Sequence, residues 1–289
     1  MSLVLYMSNV KGMGARRLAQ SLLPSFANVS NGVDLIIPEL SDLNKSLPVC
    51  NVSFVKRRFP NFISRVIESL KYKVFLKPVI NFTDIPLRTS DFQILFLQNP
   101  HVFLDSLESD SIRYRFYRWL INFNIAYADI VVVQTSSMKD RFLKTYNFPS
   151  EKVLVIKQPS PLQAFENCYS KSISLKNIRG LRFFYPASIY PHKNHLLLSN
   201  IPNSFFESGH SVLLTCDSSQ LSYLSHKKFE FFGSLSLDDI HYCYLNSDIL
   251  IFPSLDESYG LPLIEAMQFG LPIVVPDLPY ARSLCGDFG

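Results

Sequence analysis

Residues 248–276 read DILIFPSLDESYGLPLIEAMQFGLPIVVP. The apolar run Ile249 to Phe252 stops at Pro253 and Ser254, which predicts a short buried strand. A polar loop follows, Leu255 to Gly260. Pro262 stands where a first helical turn begins, a position whose N–H has no intrahelical partner. Leu263, Ile264, Ala266, Met267 and Phe269 predict the apolar face of a short helix, and Gly270 is placed to end it. Ile273 to Val275 predicts a second buried strand. Strand, loop, helix and strand in this order make one unit of a parallel α/β sheet.

In such a unit the helix N-terminus faces the crevice beyond the strand's carboxyl end, where backbone N–H groups and the helix dipole favour phosphate. Gly260 lets a ligand approach the backbone. Glu257 and Glu265 flank the turn with seven residues between them. A carboxylate in the first helical turns repels phosphate, so the partner expected for Glu265 is a hydroxyl. The same residues also fit a buried βαβ unit whose glutamates only cap and solvate the helix.

The E-x7-E spacing, with Ser258–Tyr259–Gly260–Leu261–Pro262 inside it and Glu265–Ala266–Met267 at its end, resembles the retaining glycosyltransferases of the GT-B fold, family 4 in particular. The likeness runs from Asp248 to about Tyr280. It implies two Rossmann-like doubly wound domains, a nucleotide-diphosphate sugar as donor, and transfer with retention and without metal. It further implies that Ser258, Tyr259, Gly260, Leu261 and Glu265 bind donor while Glu257 acts on the sugar. Members of this family usually continue through a last strand and helices. The C-terminal domain is therefore expected to be incomplete.

The length of 289 residues predicts two domains. Apolar residues at 47% and scattered prolines exclude a disordered chain. No apolar run reaches the roughly 18 residues needed to span a bilayer. The N-terminus lacks a basic start ahead of a long apolar core, so no signal peptide is expected. Cys50, Cys168, Cys216, Cys243 and Cys285 lie far apart, without C-x-x-C or histidine pairing, and predict buried thiols in a reducing, cytoplasmic compartment. Charge is uneven. Residues 1–150 carry 18 Lys+Arg against 11 Asp+Glu, and residues 151–289 carry 10 against 13. A basic first half fits nucleic acid, anionic lipid or an anionic acceptor.

Along the chain, Leu3–Met7 and Val33–Pro38 predict strands. Between them, Gly12 and Gly14 form a Gly-x-Gly turn before a helix Ala15–Leu23. Arg17 holds the position of the third glycine of a dinucleotide fingerprint, which leaves either a phosphate or acceptor loop or a plain tight turn. Residues 55–77 carry seven basic side chains and one acid, Glu68. Phe62, Ile63, Val66, Ile67 and Leu70 recur there at helical spacing. Phe92–Leu97 predicts a strand leading into Gln98–Asn99–Pro100–His101. Residues 111–127 form a second basic, aromatic helix. Ile130–Val133, a helix Met138–Tyr146 capped by Ser136 or Ser137, and Val153–Ile156 complete domain 1–160. The stretch 158–177 predicts a linker to domain 178–289, whose first strands are Leu181–Tyr185, Val212–Cys216 and Phe229–Phe232.

Lys193, after the strand Leu181–Tyr185, is placed at a helix start to hold a diphosphate. The segment 186–195 is similar to the family's phosphate-binding loop, with Ser188 where many members carry arginine. His101 matches the histidine that many members place near the transferred sugar, although a lone histidine can equally be structural. No D-x-D triplet is present, and His192 and His195 lack a third ligand, so no metal is expected.

Together these features predict a hexosyltransferase of surface-polysaccharide synthesis, with a nucleotide-sugar donor and a carbohydrate or lipid-linked acceptor. Segments 55–77 and 111–127, with Tyr114, Tyr117 and Trp119 interleaved, predict peripheral attachment to the anionic inner face of a membrane. The rivals are an inactive or truncated nucleotide-sugar-binding module and a nucleotide-sugar epimerase. Without a recognised motif, nucleic-acid binding is not expected.

Overall fold

Runs of two to six residues, most of them apolar and β-type, set the architecture in the computed structural model, which describes residues 3–8, 22–23, 25–26, 32–38, 50–55, 61–89, 91–157, 173–224 and 229–286. The chain divides into two units, Met1–Pro161 and Leu162–Gly289.

Unit 1 holds seven strands: β1 (Leu3–Tyr6), β2 (Val33–Pro38), β3 (Cys50–Val55), β4 (Val79–Asn81), β5 (Gln93–Phe96), β6 (Ile130–Val133) and β7 (Val153–Val155). They lie side by side in the order β3-β2-β1-β4-β5-β6-β7, and every pairing is parallel. Helices α1 (Asn61–Leu70), α2 (Ile112–Asn124) and α3 (Ser136–Thr145) connect them. Sheet residues Leu95, Val131 and Val133 pack against Tyr117, Leu120, Ile121 and Phe142 of α2 and α3.

Several expectations need correction here. The amphipathic stretch 55–77 is helical over Asn61–Leu70 alone, and Val55 ends β3. The apolar stripe anticipated for that helix is buried only in part, with Val66 packed against the core. Ile63 and Leu70 are exposed, and Ser64 and Ser69 are buried. Thr135, rather than Ser136 or Ser137, caps α3, its hydroxyl accepting from the Met138 amide at 3.2 Å. Gly12, Gly14, most of the helix expected at 15–23, and Lys56, Arg57 and Arg58 lie outside the described residues.

Unit 2 holds β8 (Arg182–Tyr185), β9 (Ser211–Leu214), β10 (Phe229–Phe231), β11 (Ile249–Ile251) and β12 (Ile273–Val274), in the order β10-β9-β8-β11-β12, again all parallel. Its helices are α4 (Asn203–Glu207), α5 (Leu237–Leu245), α6 (Leu261–Gln268) and α7 (Pro279–Cys285). Phe184, Leu213, Leu250, Tyr244, Leu263 and Ala266 form its core. Ile173 and Leu175, from the stretch expected to be a linker, pack against that core. Cys216, Cys243 and Cys285 are free and buried, and burial pushes the first two thiols up to about 11 and about 12. No helix among the described residues is long and apolar enough to cross a membrane.

Strand order places the sites. In unit 2 the chain runs outward from β8 through β9 to β10, then returns to the other side of β8 as β11. The order therefore reverses between β8 and β11. At such a switch point the loops leaving the strands diverge and open a crevice at their carboxyl ends. Unit 1 has its own reversal between β1 and β4.

Candidate active site

Two loops leave the unit 2 switch point. One follows β8 and carries Ser188 and Lys193. The other follows β11 and carries Glu257 to Gly260. Backbone and hydroxyl groups tie them together. The Leu255 amide donates to the His192 carbonyl at 2.7 Å, and the Ser254 hydroxyl donates to the same carbonyl at 3.2 Å. The Tyr185 hydroxyl donates to the Lys193 carbonyl. The Tyr280 hydroxyl, from α7, donates to the Ser254 carbonyl at 2.6 Å. Burial raises both phenols above their ordinary range, and the Glu257 charge adds to the shift. Tyr185 and Tyr280 thus remain neutral donors that brace the loops.

On this base Lys193 and Glu257, 64 residues apart in sequence, form an ion pair. Their side chains are 16% and 11% exposed, so the pair is largely shielded from water. The lysine ammonium also lies 5.1 Å from the centre of the Phe252 ring. Lys193 ends a single 3-10 turn, Pro191–Lys193, instead of starting an α-helix as the sequence implied. A second 3-10 stretch, His195–Asn200, follows. Ser188 is exposed on the same loop.

Gly260 has a φ of 77° and stands immediately before α6, a left-handed conformation that favours glycine. The expected stop also forms. Gly270, with φ 68°, donates to the Met267 carbonyl at 3.2 Å, and Leu271 donates to the Ala266 carbonyl at 2.9 Å. That pair of bonds satisfies the last carbonyls of the helix. Leu263 and Ala266 face the core, whereas Met267, assigned to the apolar face, is exposed.

Glu265 is fully buried, and Tyr244 of α5 donates its hydroxyl to Oε2 at 2.7 Å. Within the chain, Glu265 is thus held by a tyrosine hydroxyl. Tyr259 is buried, and Ser258 and Leu261 are half-buried.

His195 packs its ring 4.7 Å from that of Tyr185. Burial first, and the Lys193 charge second, lower its pKa to about 4. An unfolded histidine titrates near 6.5, so the unfolded chain binds more protons between those values. This contribution to stability is complete above pH 6.5 and is lost as pH falls toward 4. The loss amounts to about 3 kcal/mol over the full interval. Denaturant midpoints measured from pH 7 to pH 4 should fall less steeply for His195→Phe than for the wild type.

In unit 1, His101 sits in the turn after β5. It is buried, with Nδ1 3.1 Å from the Ser106 hydroxyl and its ring 5.3 Å from that of Tyr114. The Asn99 side chain accepts from the His101 amide at 3.0 Å. The sequence reading missed Asp84, which follows the switch-point strand β4. Its carboxylate accepts from the amides of Gln98 at 2.7 Å and Asn99 at 3.2 Å, fixing the turn that carries His101. Burial raises its pKa. A φ of 66° in a residue other than glycine was its one legible mark, and that mark is conformational. Tyr185, Tyr244 and Tyr280 were also missed, because buried phenols in strands and helices look like ordinary core residues.

Two doubly wound parallel sheets, each with its own switch point, match the GT-B fold of solved glycosyltransferase structures. WaaG, a glycosyltransferase involved in lipopolysaccharide biosynthesis, superposes with a TM-score of 0.65 at 14% identity, over 99% of this chain and 84% of that one. Anabaena Alr3699/HepE, solved in complex with UDP and glucose, gives 0.62 at 14% identity, over 98% and 82%. Residues 216–289 match the family model of the glycosyl transferases group 1. O-antigen chain mannosyltransferase RfbU of Salmonella typhimurium is 25% identical over 175 residues, 57% of this chain and 46% of the relative. O-antigen chain mannosyltransferase B of Escherichia coli is 32% identical over 59 residues, 20% and 16%. The match thus spans less than half the length of either mannosyltransferase.

Proposed function

We propose that the chain transfers a hexose from a nucleotide-diphosphate sugar to a carbohydrate or lipid-linked acceptor in surface-polysaccharide synthesis. The observation that carries this reading is the Lys193–Glu257 pair at the carboxyl ends of β8 and β11. A cation and a carboxylate held side by side at a switch point suit a ligand with a diphosphate at one end and sugar hydroxyls at the other. Lys193 faces the diphosphate, Glu257 the sugar, and Glu265 the ribose. Ser188, Ser258, Tyr259, Gly260 and Leu261 line the donor's path.

During transfer the bond between the sugar's anomeric carbon and the phosphate oxygen breaks, and the acceptor hydroxyl oxygen bonds to that carbon. Its proton passes to the leaving diphosphate, on the same face of the sugar, so configuration is retained. Lys193 and the start of α6 neutralise the departing charge in place of a metal ion. His101 is assigned a part in the transfer step. The enzyme works in the cytoplasm, at the inner face of the membrane.

The relatives named above support this reading, two as mannosyltransferases of O-antigen chains and one as a structure holding UDP and glucose. A thermal-shift screen of nucleotide-sugars tests it. Ligand at a hundred times its Kd stabilises the native state by about 2.7 kcal/mol, so one base and sugar should raise the unfolding midpoint by several degrees. No shift with any nucleotide-sugar would overturn the assignment. Consumption of donor without acceptor, yielding an isomerised sugar, would favour an epimerase.

A further inference from the structure

Helix α2 has two apolar faces. Tyr114, Tyr117, Leu120 and Ile121 point into the core. The basic and aromatic segment therefore does not present Tyr114 and Tyr117 to solvent, as its sequence had implied. On the outer side Ile112, Trp119 and Phe123 recur at intervals of seven and four residues, and Phe116, half-buried against the core, borders them. Ile112 is 86% exposed, Trp119 53% and Phe123 51%. The Trp119 ring lies 5.4 Å from Phe116 and 5.4 Å from Phe123, stacked on the latter at 11°. A helix apolar on both sides is normally enclosed, and an exposed apolar stripe of this kind marks a contact surface.

The charge beside the stripe selects the partner. Helix α2 carries Arg113, Arg115 and Arg118 and no carboxylate. Arg115 is exposed and has no ion-pair partner among the described residues. The Arg88 guanidinium lies 5.4 Å from the centre of the Phe123 ring. The Arg88 backbone is bridged to Tyr72, which brings exposed Lys71 and Tyr72 to the same end of the stripe. A second copy would bring like charge to like, so the surface calls for an anionic partner. A convex row of Trp and Phe flanked by Arg and Lys matches the boundary between headgroups and acyl chains.

We propose that the outer face of α2, centred on Trp119, docks unit 1 on an anionic lipid bilayer through Ile112, Trp119 and Phe123, with Arg115 and Lys71 holding the headgroups. This deepens the membrane-side reading above and is independent of nucleotide binding by unit 2.

Trp119 is the sole tryptophan of the chain, so its emission reports on this face directly. Titration of the full chain with phosphatidylglycerol-containing vesicles should shift the emission to the blue, and the protein should co-sediment with them. Pure phosphatidylcholine vesicles should bind at least about tenfold more weakly, and added salt should weaken the anionic case. Each basic residue near an anionic surface adds roughly fivefold in partitioning, so Arg115→Glu with Lys71→Glu should lower it by more than about tenfold. Ile112→Ser with Phe123→Ser should weaken partitioning and keep the tryptophan reporter. Far-ultraviolet circular dichroism and the denaturant midpoint of the same variants serve as the check on folding. Equal shifts with both vesicle types, or none with either, would overturn the proposal. So would a blue shift that grows with protein concentration in the absence of lipid, because a second copy would then cover the face. If nucleotide binding is absent while vesicle binding persists, the transferase reading fails and the docking surface stands.

Discussion

Glu257→Gln is expected to lower sugar transfer by about 10²–10³-fold while leaving nucleoside-diphosphate affinity unchanged or tighter. Glutamine keeps the volume and one acceptor oxygen but removes the charge. A carboxylate beside the sugar offsets positive charge developing at the anomeric carbon, and a neutral amide does so far less. The direction of the binding effect follows from the ion pair. Glu257 is paired with the Lys193 ammonium. An incoming diphosphate must compete with that carboxylate and is also repelled by it. Removing the charge frees Lys193 for the ligand. Steady-state turnover, measured beside calorimetric binding, separates the two effects. Wild-type turnover in a folded Glu257→Gln protein would remove the residue from the reaction.

Glu265→Ala is expected to weaken donor binding about tenfold or more, since a hydrogen bond to a charged group contributes roughly 1.5–3 kcal/mol. It should also destabilise unit 2. Tyr244 loses the acceptor that Oε2 provides at 2.7 Å, and an orphaned buried hydroxyl costs about 1–3 kcal/mol. Glu265→Gln separates the two roles. Its amide oxygen can still accept from Tyr244, so most of the stability should return, while the weaker acceptor leaves ribose binding reduced. Binding equal to wild type in both variants would confine Glu265 to a structural part.

The fold could be read because the strands of a parallel sheet covered on both faces are short apolar runs, and most of them were placed within a residue or two. Two escaped. In β3, Cys50–Val55, polar Asn51 and Ser53 interrupt the apolar run, and the basic segment beyond Val55 drew the boundary into a helix pattern. In β4, Val79–Asn81 is only three residues long. The site was legible one residue at a time. Lys193 and Glu257 could be singled out, but their pairing depends on β11 returning beside β8, which local sequence does not express. The hydroxyls that brace the loops were hidden for another reason. Tyr185, Tyr244 and Tyr280 are apolar over most of their surface, and only their buried surroundings make the single polar atom consequential. The reading of 111–127 erred in the opposite way. Composition showed a basic aromatic helix, but only packing decides which aromatics face water.

The most direct measurement is calorimetric titration of a nucleoside diphosphate and of the corresponding nucleoside into the wild-type chain and into Lys193→Ala. If Lys193 holds the diphosphate at the β8–β11 crevice, the variant should bind the nucleoside as the wild type does and lose about tenfold or more in affinity for the diphosphate. Equal affinity of the two proteins for the diphosphate, or equal loss for both ligands, would contradict a donor site built on Lys193.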